Sequence, residues 1–240
     1  MRITSRPSAL AAAALGCAGA VALSACGSSS TGGQAAQSQA AGKPSGSSAS
    51  GGGSAAAAGP VRSLQVSTGS GSIAVKGTSG ALVVDERSGN SMVPAPHKLS
   101  NGVLTVGSSS GSNSYYIEVP KPATVNATAT RGAIQLSSLA GQVQATAANG
   151  TVSGQELSAE NATFSSHTGG IDTSFAAPPK NVAATAQSGS VIIRVPRSAS
   201  YAVNAHSGRG ASQVMVPRSA SAQHVITATA GSGPVMVFGA

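Results

Sequence analysis

Apolar and polar residues alternate through most of the chain from Val61 onward, and beyond Val119 the alternation falls into repeating units. Glycines punctuate the units at Gly132, Gly150, Gly169, Gly189, Gly208 and Gly231, with steps of 18, 19, 20, 19 and 23 residues. Three residues before these glycines stand Ala129, Ala147, Ser166, Ala186, Ala205 and Ala228. Five before stand Ala127, Ala145, Phe164, Ala184, Val203 and Ile226, and seven before stand Val125, Val143, Ala162, Val182, Tyr201 and His224. The position four before is polar throughout: Thr128, Thr146, Ser165, Thr185, Asn204 and Thr227. Such alternation turns one face of a strand to a core and the other to water. After most of the glycines an apolar pair resumes it, as at Ile134 and Leu136 or Val191 and Ile193. Val-Pro-Arg-Ser-Ala-Ser occurs at 195–200 and again at 216–221, a second sign of repetition.

Two short strands per unit of about 18–23 residues predict an all-β, β-solenoid-like stack, because one unit cannot bury its own apolar face and stacked units can. Small inward residues suit a thin core. The glycine marks the turn between strands, where positive φ is the expected reason for it. An antiparallel sandwich with turns at similar spacing is the competing architecture.

The same strand–Gly–strand unit opens the domain, with Leu64 and Val66, a Gly-rich corner, then Ile73 and Val75. Ala81–Val84 reads as a strand and Asp85–Lys98, with Pro94 and Pro96, as an irregular loop. Leu99–Val106 reads as a hairpin turning at Asn101-Gly102. Tyr115–Val119 leads into the repeats, so 61–240 is one domain whose less regular first third caps the stack. The strand Tyr116-Ile117-Glu118-Val119-Pro120 followed by Thr/Ser-x-Gly-x-Ile/Val units resembles the adhesin-like DUF4097 domains of bacterial surface proteins, over about 61–238. The resemblance implies a β-solenoid-like fold and brings no catalytic residues. It also implies a neighbourhood of envelope-stress regulators.

Residues 1–25 read as an export signal: Arg2 and Arg6, then an apolar run from Ala9 to Leu23 too short to span a bilayer. Leu23-Ser24-Ala25-Cys26 resembles the lipobox of bacterial lipoproteins. The resemblance implies cleavage before Cys26, acylation of its thiol, and attachment to the cell membrane on its extracytoplasmic face. An ordinary signal peptide cleaved nearby is the alternative. Cys17 leaves with the signal, so no thiol remains for a disulfide or a thiolate metal site. The rest of 26–60 is a Gly, Ser, Ala and Gln linker with one lysine, and a flexible coil of that length reaches about 30–35 Å.

Composition and charge narrow the function. With aromatics at 2% and no Trp, the chain lacks stacking platforms for nucleic acid, and large core side chains are scarcer than in most enzymes. The chain carries +8, and +6 without Arg2 and Arg6. No acid follows Asp172, while Arg197, Arg209 and Arg218 do, which favours an anionic partner such as wall polymer. Solvated surface arginines are the plainer explanation. The six carboxylates show no catalytic pairing; Glu156 and Glu160 lie four apart in what reads as turn and strand. His167, Gln187 and His206 share an outward column as a polar strip. The two imidazoles on it would stand about 9–10 Å apart, too far for one metal ion. The expectation is therefore a non-enzymatic surface protein without cofactor or metal, an adhesin or envelope-binding module for wall polymer or surface glycan. A regulatory lipoprotein acting through an envelope protein partner is the alternative.

Overall fold

The computed structural model describes residues 60–88 and 90–240; the signal segment, Cys26 and the linker up to residue 59 lie outside the described residues. In chain order the strands are β1 (Ser63–Ser70), β2 (Ile73–Thr78), β3 (Val83–Ser88), β4 (Ser91–Pro94), β5 (His97–Ser100), β6 (Val103–Ser108), β7 (Tyr115–Pro120), β8 (Thr124–Arg131), β9 (Ile134–Ser137), β10 (Val143–Asn149), β11 (Val152–Leu157), β12 (Asn161–Ser166), β13 (Ile171–Phe175), β14 (Asn181–Ala186), β15 (Val191–Val195), β16 (Tyr201–Ser207), β17 (Ser212–Met215), β18 (His224–Ala230) and β19 (Val235–Gly239). They form a front sheet, β5-β6-β1-β8-β10-β12-β14-β18-β16, and a back sheet, β4-β3-β7-β2-β9-β11-β13-β15-β19-β17. A front strand, a corner and a back strand make one rung. Pairing between rungs is parallel, as in β8 with β10 and β9 with β11. Among the described residues, antiparallel pairs occur only where β3 meets β4 and β7, and where β5 meets β6. The architecture is the expected β-solenoid-like stack.

The alternation becomes ladders. Leu64, Val125, Val143, Ala162 and Val182 face inward along the front sheet, and Ile73, Ile134, Val152, Ile171 and Val191 along the back sheet; all are buried in one continuous core. Alanines dominate the second inward ladder (Ala127, Ala145, Ala184), with Phe164 as its one large member. The hairpin at Asn101-Gly102 forms as read, with φ of 53° and 78° at the two turn residues, the left-handed pair that a two-residue turn requires.

The corner glycines have a cause other than the expected one. Gly71, Gly132, Gly150, Gly169, Gly189, Gly233 and Gly210 sit directly over one another. A Cβ on Gly150 would stand 1.9 Å from the Gly132 carbonyl oxygen, and one on Gly169 1.9 Å from that of Gly150. Positive φ occurs in this ladder only at Gly71 (141°) and Gly132 (127°). Elsewhere the close approach of one corner to the next excludes a side chain. Hydroxyls complete the corner: Ser166 Oγ donates to the Gly150 carbonyl and accepts from Gly169 N–H, both at 2.9 Å. Ser207 repeats the arrangement with Gly233 and Gly210, at 2.8 and 2.7 Å.

Four expectations are corrected. The last two units are exchanged in space: β18 and β19 insert between β14/β15 and β16/β17. They also sit two residues away from the expected register, with Val182 opposite Ile226 rather than His224. A slip of two leaves every side chain on its own face, so alternation does not detect it. The corner glycines are then Gly210 and Gly233, not Gly208 and Gly231. At the other end β1/β2 lies between β6/β7 and β8/β9, so the opening unit is inside the stack rather than part of its cap. The segment read as a loop from Asp85 continues β3 and turns back as β4. Pro94 is tolerated because β4 is an outermost strand, where a missing N–H breaks no ladder.

Candidate binding face

The outward side of the front sheet carries two polar columns. Ser67, Thr128, Thr146, Ser165, Thr185 and Thr229 stand opposite one another on successive strands. Beside them run Gln65, Asn126, Gln144, Thr163, Ala183 and Thr227. Period-2 alternation puts them there, since each flanks a buried Val, Ala or Phe. Neither column contains a charged residue. Neighbouring rungs stand about 4.8 Å apart, so hydroxyl and amide groups recur at that interval. A shallow groove of ≈ 300 Å³ opens on the face between Gln65, Ser67, Thr105, Asn126 and Thr128.

The predicted histidine strip is kept only in part. His167 and Gln187 are neighbours, because Ser188 N–H donates to the His167 carbonyl and Gln187 N–H to that of Ser166. Both side chains are exposed. His206 is not the next member: it stands opposite Thr229, in the threonine column, with β18 and β14 between it and β12. The cause is again the exchange and slip of the last units.

The three arginines do not form one cluster. Arg218 adjoins Tyr201 at the start of β16, through Tyr201 N–H to the Pro217 carbonyl (2.9 Å) and Ser219 N–H to the Tyr201 carbonyl (3.1 Å). Arg197 follows β15 at the same side of the rung, its Nε donating to the Gly239 carbonyl at 3.3 Å. Arg209 occupies the opposite corner, a strand length of about 20 Å away. All three are exposed. None lies in the polar columns, so the basic character belongs to one end of the stack and not to the face. Cys26 lies outside the described residues.

The carboxylates are spread over surface contacts. Asp172 pairs with Arg194, Glu160 with Lys180 at 2.7 Å and Glu118 with Lys76 at 3.7 Å, each across neighbouring rungs. Glu156 accepts from Ser138 Oγ at 3.3 Å and Glu86 from Asn113 at 2.9 Å. Among the described residues no His, Cys, Asp and Glu group could hold a metal ion. Two tyrosines have raised pKa values. Tyr116 donates to Glu118 at 2.7 Å, and that bond is the main cause, followed by burial and the Glu118 and Asp85 charges. Tyr201 is raised by burial; its hydroxyl donates to the Pro196 carbonyl at 2.7 Å.

The family model described as Toastrack DUF4097 matches residues 47–237. A crystal structure of a putative cell adhesion protein from Clostridium sporogenes is similar at a TM-score of 0.38 and 10% identity, over 75% of this chain and 94% of that one. No curated protein matches the chain.

Proposed function

The chain belongs to the toastrack DUF4097 family, and from that premise we propose that it is an extracytoplasmic binding module, an adhesin tethered to the cell membrane through Cys26. Its front sheet meets a polysaccharide of the envelope or of a facing cell surface. The observation that supports this is the outward face: one column of hydroxyls in register over six strands, beside a second of amides and hydroxyls broken only at Ala183, with no charge among them. Each rung offers donors and acceptors to a polymer that itself repeats hydroxyls. Contacts that are weak singly then gain strength from their number along one polymer. Leu23-Ser24-Ala25-Cys26 supports the tether. The role is binding without turnover.

The test is sedimentation of the full chain with purified cell wall, with and without its anionic polymers, at low and moderate salt. Retention is expected on wall stripped of those polymers and at both salt levels. The triple variant Thr128→Ala, Thr146→Ala, Thr185→Ala should weaken it about tenfold, a change of ~1.4 kcal/mol. Retention that disappears with the anionic polymers or with salt would move the ligand to the arginines. No retention under any condition would sink the reading. The tether is checked by Cys26→Ala, which should release the chain from the membrane fraction.

A further inference from the structure

β16 is the outermost strand of the front sheet at the C-terminal end of the stack. Seven residues long, it contains no proline, lysine, arginine or carboxylate. Proteins usually blunt such an edge with charge, proline, brevity or a covering segment. The other outermost strands, β4, β5 and β17, have only four residues each. Among the described residues the only cover here is Pro217–Ser219, which bonds both backbone groups of Tyr201. Residues two apart along a strand turn their backbone groups to the same side. Val203 and Ala205 therefore direct N–H and C=O groups away from β18, where no strand follows. The inward ladder is unfinished as well: Val203 and Ala205 are half-buried, whereas their counterparts Ile226 and Ala228 on β18 are buried.

We propose that this edge takes an extended, proline-free segment of a partner protein, added as a further strand, with carboxylates near both of its ends. Charge complementarity selects that occupant. Arg218 and Arg209 flank the two ends of the edge, are exposed, and enter no ion pair among the described residues. No acid follows Asp172 in the chain to neutralise them. A second copy docked through the same edge would bring its own Arg209 and Arg218 against these two, like charge against like. Room for the added side chains exists outside the edge. An open groove of ≈ 570 Å³ lies between Ala202, Asn204, Val225 and Thr227 on one side and Arg218–Ala220 on the other. Its wall residue Val225 is a large apolar side chain left exposed, and Met215 on neighbouring β17 is another. The proposal concerns a protein partner at the stack end and does not depend on what the front face binds.

The experiment titrates the full chain against a fluorescein-labelled peptide Glu-Val-Thr-Val-Thr-Val-Glu, and against its counterpart with lysines in place of the glutamates. The acidic peptide should bind saturably, weaken as salt rises, and exceed the lysine peptide by about tenfold or more. Val203→Pro removes only an N–H directed off the sheet and leaves the β18 ladder intact, and it too should weaken binding about tenfold. The exposed pair Arg209→Glu, Arg218→Glu should do the same, and it decides the matter should the proline variant misfold. Equal binding of both peptides, no saturable binding, or indifference to the arginine pair would overturn the proposal. So would self-association of the chain abolished by Val203→Pro, which would give the edge to a second copy. Loss of wall retention in the threonine variant has no bearing on any of these readings.

Discussion

At the N-terminal end of the stack the rung β6/β7 is covered by strands that run against it, β5 on the front sheet and β3 on the back, with β4 turned back outside β3. At the C-terminal end the rung β16/β17 is followed, among the described residues, only by the short Pro217–Ser219 contact. The difference shows what a parallel stack needs in order to stop. Repetition of one unit always presents another open edge, and ending it takes a change of strand direction, a proline or a charge. β4 ends in Pro94 and β5 carries Lys98; β16 has neither. Each end also holds a tyrosine with a raised pKa, for different reasons: a carboxylate partner at Tyr116, burial at Tyr201.

The strongest way to test this contrast is to remove 224–240. Since β18/β19 is the only rung among the described residues that pairs with β16/β17, its loss should unfold two rungs rather than one. Hydrogen exchange would show protection lost over 201–215 and kept over 181–195. Persistent protection of 201–215 would mean that this unit pairs with β14/β15 directly once 224–240 is gone. A smaller effect separates middle from end along the glycine ladder. Gly169→Ala puts a Cβ 1.9 Å from a carbonyl oxygen between two fixed rungs, and should destabilise by about 1–3 kcal/mol or more in urea. Gly210→Ala meets its neighbour at 2.6 Å with no rung beyond it, and should be milder. Equal losses would show the last rung to be as rigid as the interior. The smallest effect is in alkali. A raised tyrosine pKa contributes stability that is complete below the ordinary phenol value of about 10 and is lost as pH climbs through the folded value. Tyr201→Phe costs about 1 kcal/mol for its hydrogen bond and should flatten that alkaline decline. Tyr116→Phe should change it little, because solvent screens the less buried Tyr116–Glu118 pair. Melting curves between pH 8 and about 11 make the comparison, and a flatter decline in the Tyr116 variant alone would contradict it.

Much of the fold was legible because the ladders are written in single columns. Val125, Val143, Ala162 and Val182 are spaced in sequence as they are stacked in space. The adjacency of His167 and Gln187 follows from the same columns. What escaped was the order of rungs. Nothing local says that the unit beginning at His224 lies before the one beginning at Tyr201, since their inward residues are interchangeable. The glycine pairs at 208/210 and 231/233 hid the slip, because either member fits a corner pattern. Pro94 and Pro96 suggested a loop because an edge strand tolerates the residues that loops favour. The bare edge of β16 was invisible for a related reason. Its sequence reads like any interior strand, and only the topology leaves it at the end.

The placement of the two terminal units has a mechanical consequence. Both ends of the domain enter the stack one rung in, so β1 is held between β6 and β8, and β19 between β15 and β17. Tension applied at either terminus along the strand loads two parallel ladders in shear at once. An outermost strand, by contrast, would peel away one hydrogen bond at a time. A terminal strand held on both sides is harder to unravel than one at the edge of its sheet.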